Sequence, residues 1–227
     1  MLRSRLAVLT SGGLDSAILV GVALREYRTV YPLYIREGLH YEATELRYLR
    51  RYLRAVKAEQ PLQVLHLPVA DLYGEHWSIT GRKVPSHATP DEAVYLPGRN
   101  VLFLAKAMVW CHLHEVPAVA LGSLGTNPFP DATPKFFAGF ERVVNQAIAG
   151  NVAIRLPFGG MKKKDVMRLG RDLPLNFSFS CIDPRKGLHC GKCNKCHERR
   201  QAFAEAKMVD PTRYQFSLAS RERKRPE

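Results

Sequence analysis

The residues with the clearest chemical potential lie near the start of the chain, in the run Thr10-Ser11-Gly12-Gly13-Leu14-Asp15-Ser16. This run follows an apolar segment typical of a strand and precedes an apolar segment typical of a helix. Glycine lets the backbone approach an anion closely, and the first N–H groups of a helix lie unpaired at the positive end of its dipole. With the hydroxyls of Ser11 and Ser16 added, the run predicts a binding site for a pyrophosphate group.

The run differs from the two most familiar nucleotide-binding motifs. It has neither the Lys of the Gly-x4-Gly-Lys-Ser/Thr loop nor the spacing of the Gly-x-Gly-x-x-Gly fingerprint. Ser-Gly-Gly-x-Asp-Ser instead resembles the pyrophosphatase loop (PP-loop) of ATP-dependent adenylating enzymes, which cleave ATP between its α and β phosphates. The alternative interpretation is a simple Ser/Gly turn capped by Asp15 or Ser16.

A group of four cysteines near the other end of the chain has the spacing of a metal site. Its members are Cys181, Cys190, Cys193 and Cys196. Four thiolates close a tetrahedral site without an open position, so the group predicts a structural Zn²⁺. An iron–sulfur cluster is one alternative. Disulfides, which a reducing compartment disfavours, or free thiols are the other. His189 and His197 are near but not needed as ligands, and Cys111 lies in an apolar helical pattern typical of a core residue.

Polar residues in the middle of the chain are candidates for contacts with a substrate. Arg99 and Asn100 stand at the start of an apolar helical pattern. Asn100 is suited to cap that helix, which leaves Arg99 free to point into a crevice and contact phosphate or carboxylate. Asp131 is either a helix-start residue or an acceptor for the N–H groups of a substrate.

Strand and helix patterns alternate along the chain. Strands are predicted at 5–10, 29–35, 62–67 and 117–122. Helices are predicted at 14–26, 42–58, 99–114 and 134–149. The alternation predicts an α/β fold with a doubly wound, mostly parallel sheet, whose ligands bind beyond the carboxyl ends of the strands. The connection at 71–98 has few regular features, and long connections of this kind are often functional.

Length and charge limit the class of protein further. The 227 residues suffice for one sizeable core, and we divide them into an ATP-binding domain (1–155), a helical zinc-binding segment (156–210) and a basic tail (211–227). The net charge of +13 would attract nucleic acid, but aromatic residues are not interleaved with the basic ones, so nucleic acid is a disfavoured partner. No apolar run approaches the ~20 residues of a membrane span, and the start of the chain leaves no room for a signal peptide. We therefore expect a cytoplasmic protein without membrane contact.

The motifs in combination resemble the 7-cyano-7-deazaguanine synthase family over about residues 5–205. The matching stretches are Ser11–Ser16, Pro97-Gly98-Arg99-Asn100, Pro157-Phe158 with Lys163 and Gly170, Ser180-Cys181, Cys190-Gly191-Lys192-Cys193, Cys196, Arg199 and Ala202-Phe203. The resemblance implies the fold of adenine nucleotide α-hydrolase-like (HUP) proteins with a small C-terminal zinc-binding segment.

The resemblance also implies an activity, which is the ATP-dependent ligase reaction that converts 7-carboxy-7-deazaguanine and ammonia to the nitrile in queuosine-type deazapurine biosynthesis. One ATP activates the carboxylate as an acyl adenylate, ammonia gives the amide, and a second activation gives the nitrile. The family uses Mg²⁺ with ATP and a structural zinc, and a homodimer is expected. Because a carboxylate and an α-phosphate repel each other, Asp15 as a Mg²⁺ ligand or helix cap, Lys163 and Arg99 are the candidate catalytic residues.

Departures from the family pattern fall where the substrate should be recognised. Family members carry Pro-Asp-Cys-Arg where this chain has Pro130-Asp131-Ala132-Thr133, and Asp-Tyr-Gly-Gln-Arg-His where it has 35–40. Tyr is usual at Ile182. The alternative is therefore a related PP-loop enzyme that adenylates another carboxylate or a tRNA base for thiolation or amidation. A nucleic-acid-binding zinc protein without enzymatic activity is a third interpretation.

Overall fold

The computed structural model describes residues 3–216, and the basic residues at 221–225 lie outside that range. Five strands form one sheet: β1 (Arg3–Leu9), β2 (Tyr27–Arg36), β3 (Gln63–His66), β4 (Ala118–Ala120) and β5 (Ala153–Arg155). Their order is β3-β2-β1-β4-β5, and every neighbouring pair is parallel. The doubly wound parallel sheet is therefore confirmed, while the short fifth strand at its edge was not predicted.

Eight α-helices follow in the described part of the chain. They are α1 (Leu14–Glu26), α2 (Glu42–Ala55), α3 (Ala70–Tyr73), α4 (Trp77–Thr80), α5 (Arg99–Leu113), α6 (Pro134–Ala147), α7 (Lys163–Leu169) and α8 (Asn194–Glu205). The four long predicted helices are confirmed to within three residues at their ends. The connection at 71–98 is more regular than expected, because α4 and a 3₁₀ turn at Asp91–Val94 lie within it and α3 overlaps its start. None of the helices between residues 3 and 216 combines the length and the hydropathy that a membrane span requires.

Alternating residues of β1 supply two separate cores, because successive side chains of a strand point to opposite faces of the sheet. Leu6 and Val8 pack in the core that contains α1, α2 and part of α8. Ala7 and Leu9 pack in the core that contains α5 and α6. Both faces of the sheet are thus covered by helices, as a parallel sheet requires.

The side of the sheet to which the chain adds strands changes after β3: β2 and β3 lie on one side of β1, whereas β4 and β5 lie on the other. Strands β1 and β4 are therefore parallel neighbours although β2 and β3 come between them in sequence. Helices leave these two strands on opposite faces, so a crevice opens beyond their carboxyl ends. The turn at Ser11–Ser16 follows β1, and Gly122 and Ser123 follow β4. The fold therefore places both segments at the usual ligand position of such sheets.

A third core joins the cysteine-rich segment to the long connection. It contains the four cysteines together with Leu39, Tyr48, Val94 and Phe179. Ser86 forms an antiparallel bridge with Cys193, and the amide of Asn194 donates to the carbonyl of Pro85 at 3.0 Å. The C-terminal segment consequently packs beside the crevice rather than at a distance from it.

Candidate active site

The Ser/Gly turn forms a concave loop between β1 and α1. Gly12 has a φ of +79°, which side-chain-bearing residues rarely adopt, and its carbonyl accepts a hydrogen bond from the amide of Phe179 at 2.6 Å. Gly13 is the N-cap of α1, and no side chain caps the helix there. Neither Asp15 nor Ser16 caps α1, so the cap that the alternative interpretation assumed is wrong. The first-turn N–H groups of α1 are suited to an anion.

The loop opens into a cavity of about 310 Å³. The ends of β2 and β4, the starts of α2 and α5, and residues of α7 and α8 complete its wall. Among the lining residues are Thr10, Ser11, Gly13, Leu14, Asp15, Ser16, Tyr34, Glu45, Arg99, Asn100, Ser123, Lys163, Lys195 and Glu198. The hydroxyls of Thr10 and Ser123 are buried and have no hydrogen-bond partner among the described residues. A polar ligand in the cavity would supply one.

A chain of ion pairs crosses the cavity wall beside the loop. Lys163 donates to both carboxylate oxygens of Asp15 at 2.9 and 2.7 Å and lies 3.5 Å from Glu198. Glu198 in turn accepts from Lys195 at 2.6 Å. Burial alone would lower the pKa of Lys163, but the charges of Asp15 and Glu198 outweigh it and raise that pKa. A fixed ammonium therefore stands beside the first turn of α1.

Arg99 lies at the cavity but is not free, contrary to the sequence-based expectation. Its Nε and one terminal nitrogen both contact Oε2 of Glu37, at 2.8 and 2.7 Å, and Glu37 is fully buried. Burial would lower the pKa of Arg99, and the charge of Glu37 outweighs it. The guanidinium also lies 4.7 Å from the ring centre of Phe103. Glu37 thus orients Arg99, and only the remaining face of the guanidinium can meet a ligand.

Asn100 and Asp131 contact each other. Gly98, not Asn100, is the N-cap of α5, so the expected cap is wrong. The carboxylate of Asp131 accepts from the backbone amide of Asn100 at 3.0 Å, and the side-chain amide of Asn100 donates to the carbonyl of Asp131 at 2.9 Å. Asp131 therefore stabilises the start of α5, while Asn100 lines the cavity.

The departure at Thr133 has a structural role. Its hydroxyl caps α6 by accepting from the amide of Phe136 at 3.1 Å. Thr is a good residue for this position.

The four cysteines converge on one point. Their sulfur atoms all lie within 4.8 Å of one another, and all four residues are buried. Backbone amides point at the sulfurs, including Cys190 N to Cys181 Sγ at 3.2 Å and Gly191 N to Cys196 Sγ at 3.4 Å. Such N–H donors stabilise thiolates, so the group can hold a metal ion.

Three expectations about the cysteines and His189 can be compared with the structure. All five cysteines are free, which contradicts the disulfide alternative. Nε2 of His189 accepts from the amide of Ser180 at 3.2 Å instead of joining the sulfur group. Cys111 is fully buried in the core on the other side of the sheet, as predicted.

The model of the family described as "Queuosine biosynthesis protein QueC" matches residues 5–207 of the chain. The chain belongs to the QueC family. The 7-cyano-7-deazaguanine synthase of Syntrophobacter fumaroxidans is 34% identical, with 93% of this chain and 97% of the relative covered. That of Solidesulfovibrio magneticus is 33% identical, with 93% and 96% covered. A solved structure of the U34-tRNA thiolase NcsA from Methanococcus maripaludis is 11% identical and superposes with a TM-score of 0.48 over 92% of this chain and 75% of the thiolase.

Sequence reasoning missed an acidic group in this member of the QueC family. Glu45 of α2 lines the cavity, and its Oε2 accepts from the hydroxyl of Tyr34 at 2.6 Å. Burial raises the pKa of Glu45 to about 8, against the opposing effects of Tyr34 and Arg99. The signal was present, because Glu45 falls on the same helix face as the apolar Leu49 and Tyr52.

We expect Arg99→Met to lower the free energy of unfolding by about 3–5 kcal/mol, because Glu37 would remain buried without its cation. Arg36→Met is the matched control. The Arg36 side chain is half exposed, and its partner Glu42 keeps the amides of Glu37 and Gly38, so we expect about 1 kcal/mol or less. Urea unfolding measures both values. An equal loss of unfolding free energy in the two variants would contradict the described pairing of Arg99 with the buried Glu37.

Proposed function

We propose that the protein is an ATP-dependent ligase that converts 7-carboxy-7-deazaguanine and ammonia to 7-cyano-7-deazaguanine. The observation that carries the proposal is Lys163 paired with Asp15 at the first turn of α1, inside a polar cavity. This arrangement suits cleavage of ATP between the α and β phosphates, where negative charge develops on the pyrophosphate. Relatives at 34% and 33% identity carry the name of the synthase.

Different residues of the cavity would bind the phosphates of ATP and the acceptor substrate. The N–H groups of α1 and the hydroxyls of Ser11 and Ser16 would bind the pyrophosphate end of ATP, and Lys163 would neutralise it. Arg99, oriented by Glu37, would face the acceptor carboxylate with Asn100. Asp131 would act through Asn100 rather than on the substrate directly. Mg²⁺ bound with ATP would reduce the phosphate charge further, and Asp15 is its candidate ligand in exchange for Lys163.

We assign zinc to the four cysteines. A tetrahedral Zn²⁺ with Zn–S bonds of about 2.3 Å separates its sulfurs by about 3.8 Å. The separations Cys181–Cys193 and Cys190–Cys196 are both 3.9 Å, which supports a single ion over an iron–sulfur cluster. With four thiolates, no position is left for a substrate. The ion would therefore act on the structure of the segment and on the placement of α8.

The remaining proposals concern setting and partners. We propose a cytoplasmic homodimer with small-molecule substrates and no membrane contact. The second candidate function, adenylation of a tRNA base, is favoured by the net charge of +13 alone. Exposed arginines of α2 contribute to that charge.

The proposed function predicts a defined product set. Purified protein with ATP, Mg²⁺ and ammonium should convert 7-carboxy-7-deazaguanine to the nitrile, identified by mass, with AMP and pyrophosphate as the nucleotide products. Omission of the acid should leave ATP intact and is the control. Zinc-loaded protein that binds ATP but gives no product from the acid would overturn the assignment of substrate. In that case the same assay would be repeated with tRNA.

A further inference from the structure

Glu45 is a buried carboxyl group inside the cavity with no direct counter-ion. Its residue is 8% exposed, and its one described hydrogen bond joins Oε2 to the hydroxyl of Tyr34. Its neighbours differ in this respect: Glu37 pairs with Arg99, while Glu42 pairs with Arg36 and accepts from two backbone amides. Within the described part of the chain, Oε1 of Glu45 has no hydrogen-bond donor.

Glu45 lies next to the Ser/Gly turn between β1 and α1. A Cβ built on Gly12 would lie 3.8 Å from Cγ of Glu45 and 3.4 Å from Cβ of Leu49. Leu49, one helical turn after Glu45, also contacts the turn and is apolar. Burial of a carboxyl among such groups is unfavourable for stability. Buried ionisable groups in a cavity, held by a specific partner, are a feature of functional sites.

The proposed reaction requires a proton acceptor. Conversion of ammonia to a nitrile nitrogen removes all three N–H protons, one in forming the amide and two in forming the nitrile. We propose that Glu45 is the general base that accepts these protons from the substrate nitrogen, an inference that rests on the proposed function. Tyr34 is then the positioning residue that fixes the carboxylate so that its other oxygen faces the substrate.

In the nitrile-forming half of the reaction, two protons leave the substrate nitrogen. The amide oxygen attacks the α-phosphorus, the bond between that phosphorus and the bridging oxygen breaks, and pyrophosphate leaves with the electron pair. The first N–H proton passes to Oε1 of Glu45 and on to solvent, leaving a neutral imidate. When the second N–H proton passes to Glu45, the electron pair of that N–H bond forms the third C–N bond. The C–O bond breaks at the same time, and AMP leaves with the electron pair of the C–O bond.

The electrostatic surroundings suit this role. Tyr34 of β2 and Glu37, the residue after β2, face Glu45, while Glu42 faces it from its own helix and Arg99 from α5. Burial raises the pKa of Glu45 to about 8, and the acidic neighbours add to that rise, whereas Tyr34 and Arg99 oppose it. A carboxylate with a pKa near 8 is a stronger base than an ordinary one and still ionises near neutral pH.

The test compares Glu45→Gln with Glu42→Gln in two assays. Exchange of labelled pyrophosphate into ATP with 7-carboxy-7-deazaguanine reports adenylation, which needs no base on nitrogen. Nitrile formation from the carboxamide and ATP, without ammonium, reports the proton transfers alone. We expect Glu45→Gln to retain exchange within about threefold and to lose nitrile formation by about 100-fold or more. Glu42→Gln, which can still accept its backbone amides and does not line the cavity, should retain both.

The pH profile supplies a readout that a purely structural role would not change. The base acts only when ionised, so kcat/KM for the carboxamide should rise with pH and level off above about 8. The residual rate of Glu45→Gln should lack this rise. Loss of exchange in folded Glu45→Gln, or nitrile formation within threefold of the native rate, would overturn the assignment of the base. Native protein without exchange on the acid would instead overturn the proposed function, and this inference with it.

Discussion

Replacement of Lys163 by Ala should reduce the rate of adenylation by roughly a thousand-fold. Lys163 is the cation that contacts Asp15 in the cavity. Glu198 of α8 contacts the same ammonium and helps to position the pair. When ATP is cleaved between its α and β phosphates, charge accumulates on the leaving pyrophosphate. A fixed ammonium stabilises that charge more in the transition state than in bound ATP. The loss should therefore appear mainly in kcat of pyrophosphate exchange.

Lys164→Ala is the matched control for this prediction. Lys164 is the next residue of α7 and is exposed, whereas Lys163 turns inward. Both variants remove one positive charge from the same helix turn, so a general effect of net charge on nucleotide binding would alter both. We expect Lys164→Ala to exchange pyrophosphate within about twofold of the native rate and to unfold at nearly the native temperature. Lys163→Ala removes a cation that contacts two carboxylates, so its rate is measured below its own unfolding temperature. An exchange rate for Lys163→Ala within tenfold of native would contradict the role given to this residue.

The contribution of sequence and of structure differs between the parts of the site. The loop and its helix could be predicted because Gly12, Gly13 and the flanking apolar runs act locally, over a few residues. The cysteine group could be predicted because three of its four members lie close together in sequence. The pairing of Arg99 with Glu37 could not, because it joins residues 62 positions apart through the fold.

The same distinction applies to the short elements and to the cap of α5. Strand β5 has three residues, too few to show a period, and its place is set by pairing with β4. Asp131 supports α5 from the segment after β4, whereas sequence rules look for a cap within the helix start itself. In both cases the structure is determined by a contact between residues far apart in sequence, which local sequence patterns do not reveal. For Glu45, the helix period already predicts a position on the buried face of α2. The sequence does not show that this face borders the cavity.

One helix joins the four-cysteine group to the cavity. Cys193 is the N-cap of α8, Cys196 lies in its first turn, and both belong to the metal-binding group. Lys195 and Glu198 of the same turn line the cavity, and Glu198 contacts Lys163. The helix that carries two of the four thiols therefore also presents these charges to the cavity. Loss of the ion should disturb the phosphate end of the site as well as the fold.

Cys193→Ala should accordingly lose the metal, lower the unfolding temperature and weaken ATP binding. With one of four thiolates removed, we expect zinc per chain to fall close to zero and stability to fall by about 4 kcal/mol, or roughly 10 °C. Cys111→Ala also removes a buried thiol, but from the core between α5 and the sheet. It should keep its zinc and its ATP affinity and lose only about 1 kcal/mol.

Metal analysis, thermal unfolding and ATP titration of the two variants separate the possible roles of the cluster. Zinc retained in Cys193→Ala with an unchanged unfolding temperature would mean that this thiolate is not a ligand. Zinc lost with ATP affinity unchanged would mean that α8 holds Lys195 and Glu198 in place without the ion. Loss of all three properties is the result we expect, because the pairing of Glu198 with Lys163 joins the metal-binding helix to the helix that faces Asp15.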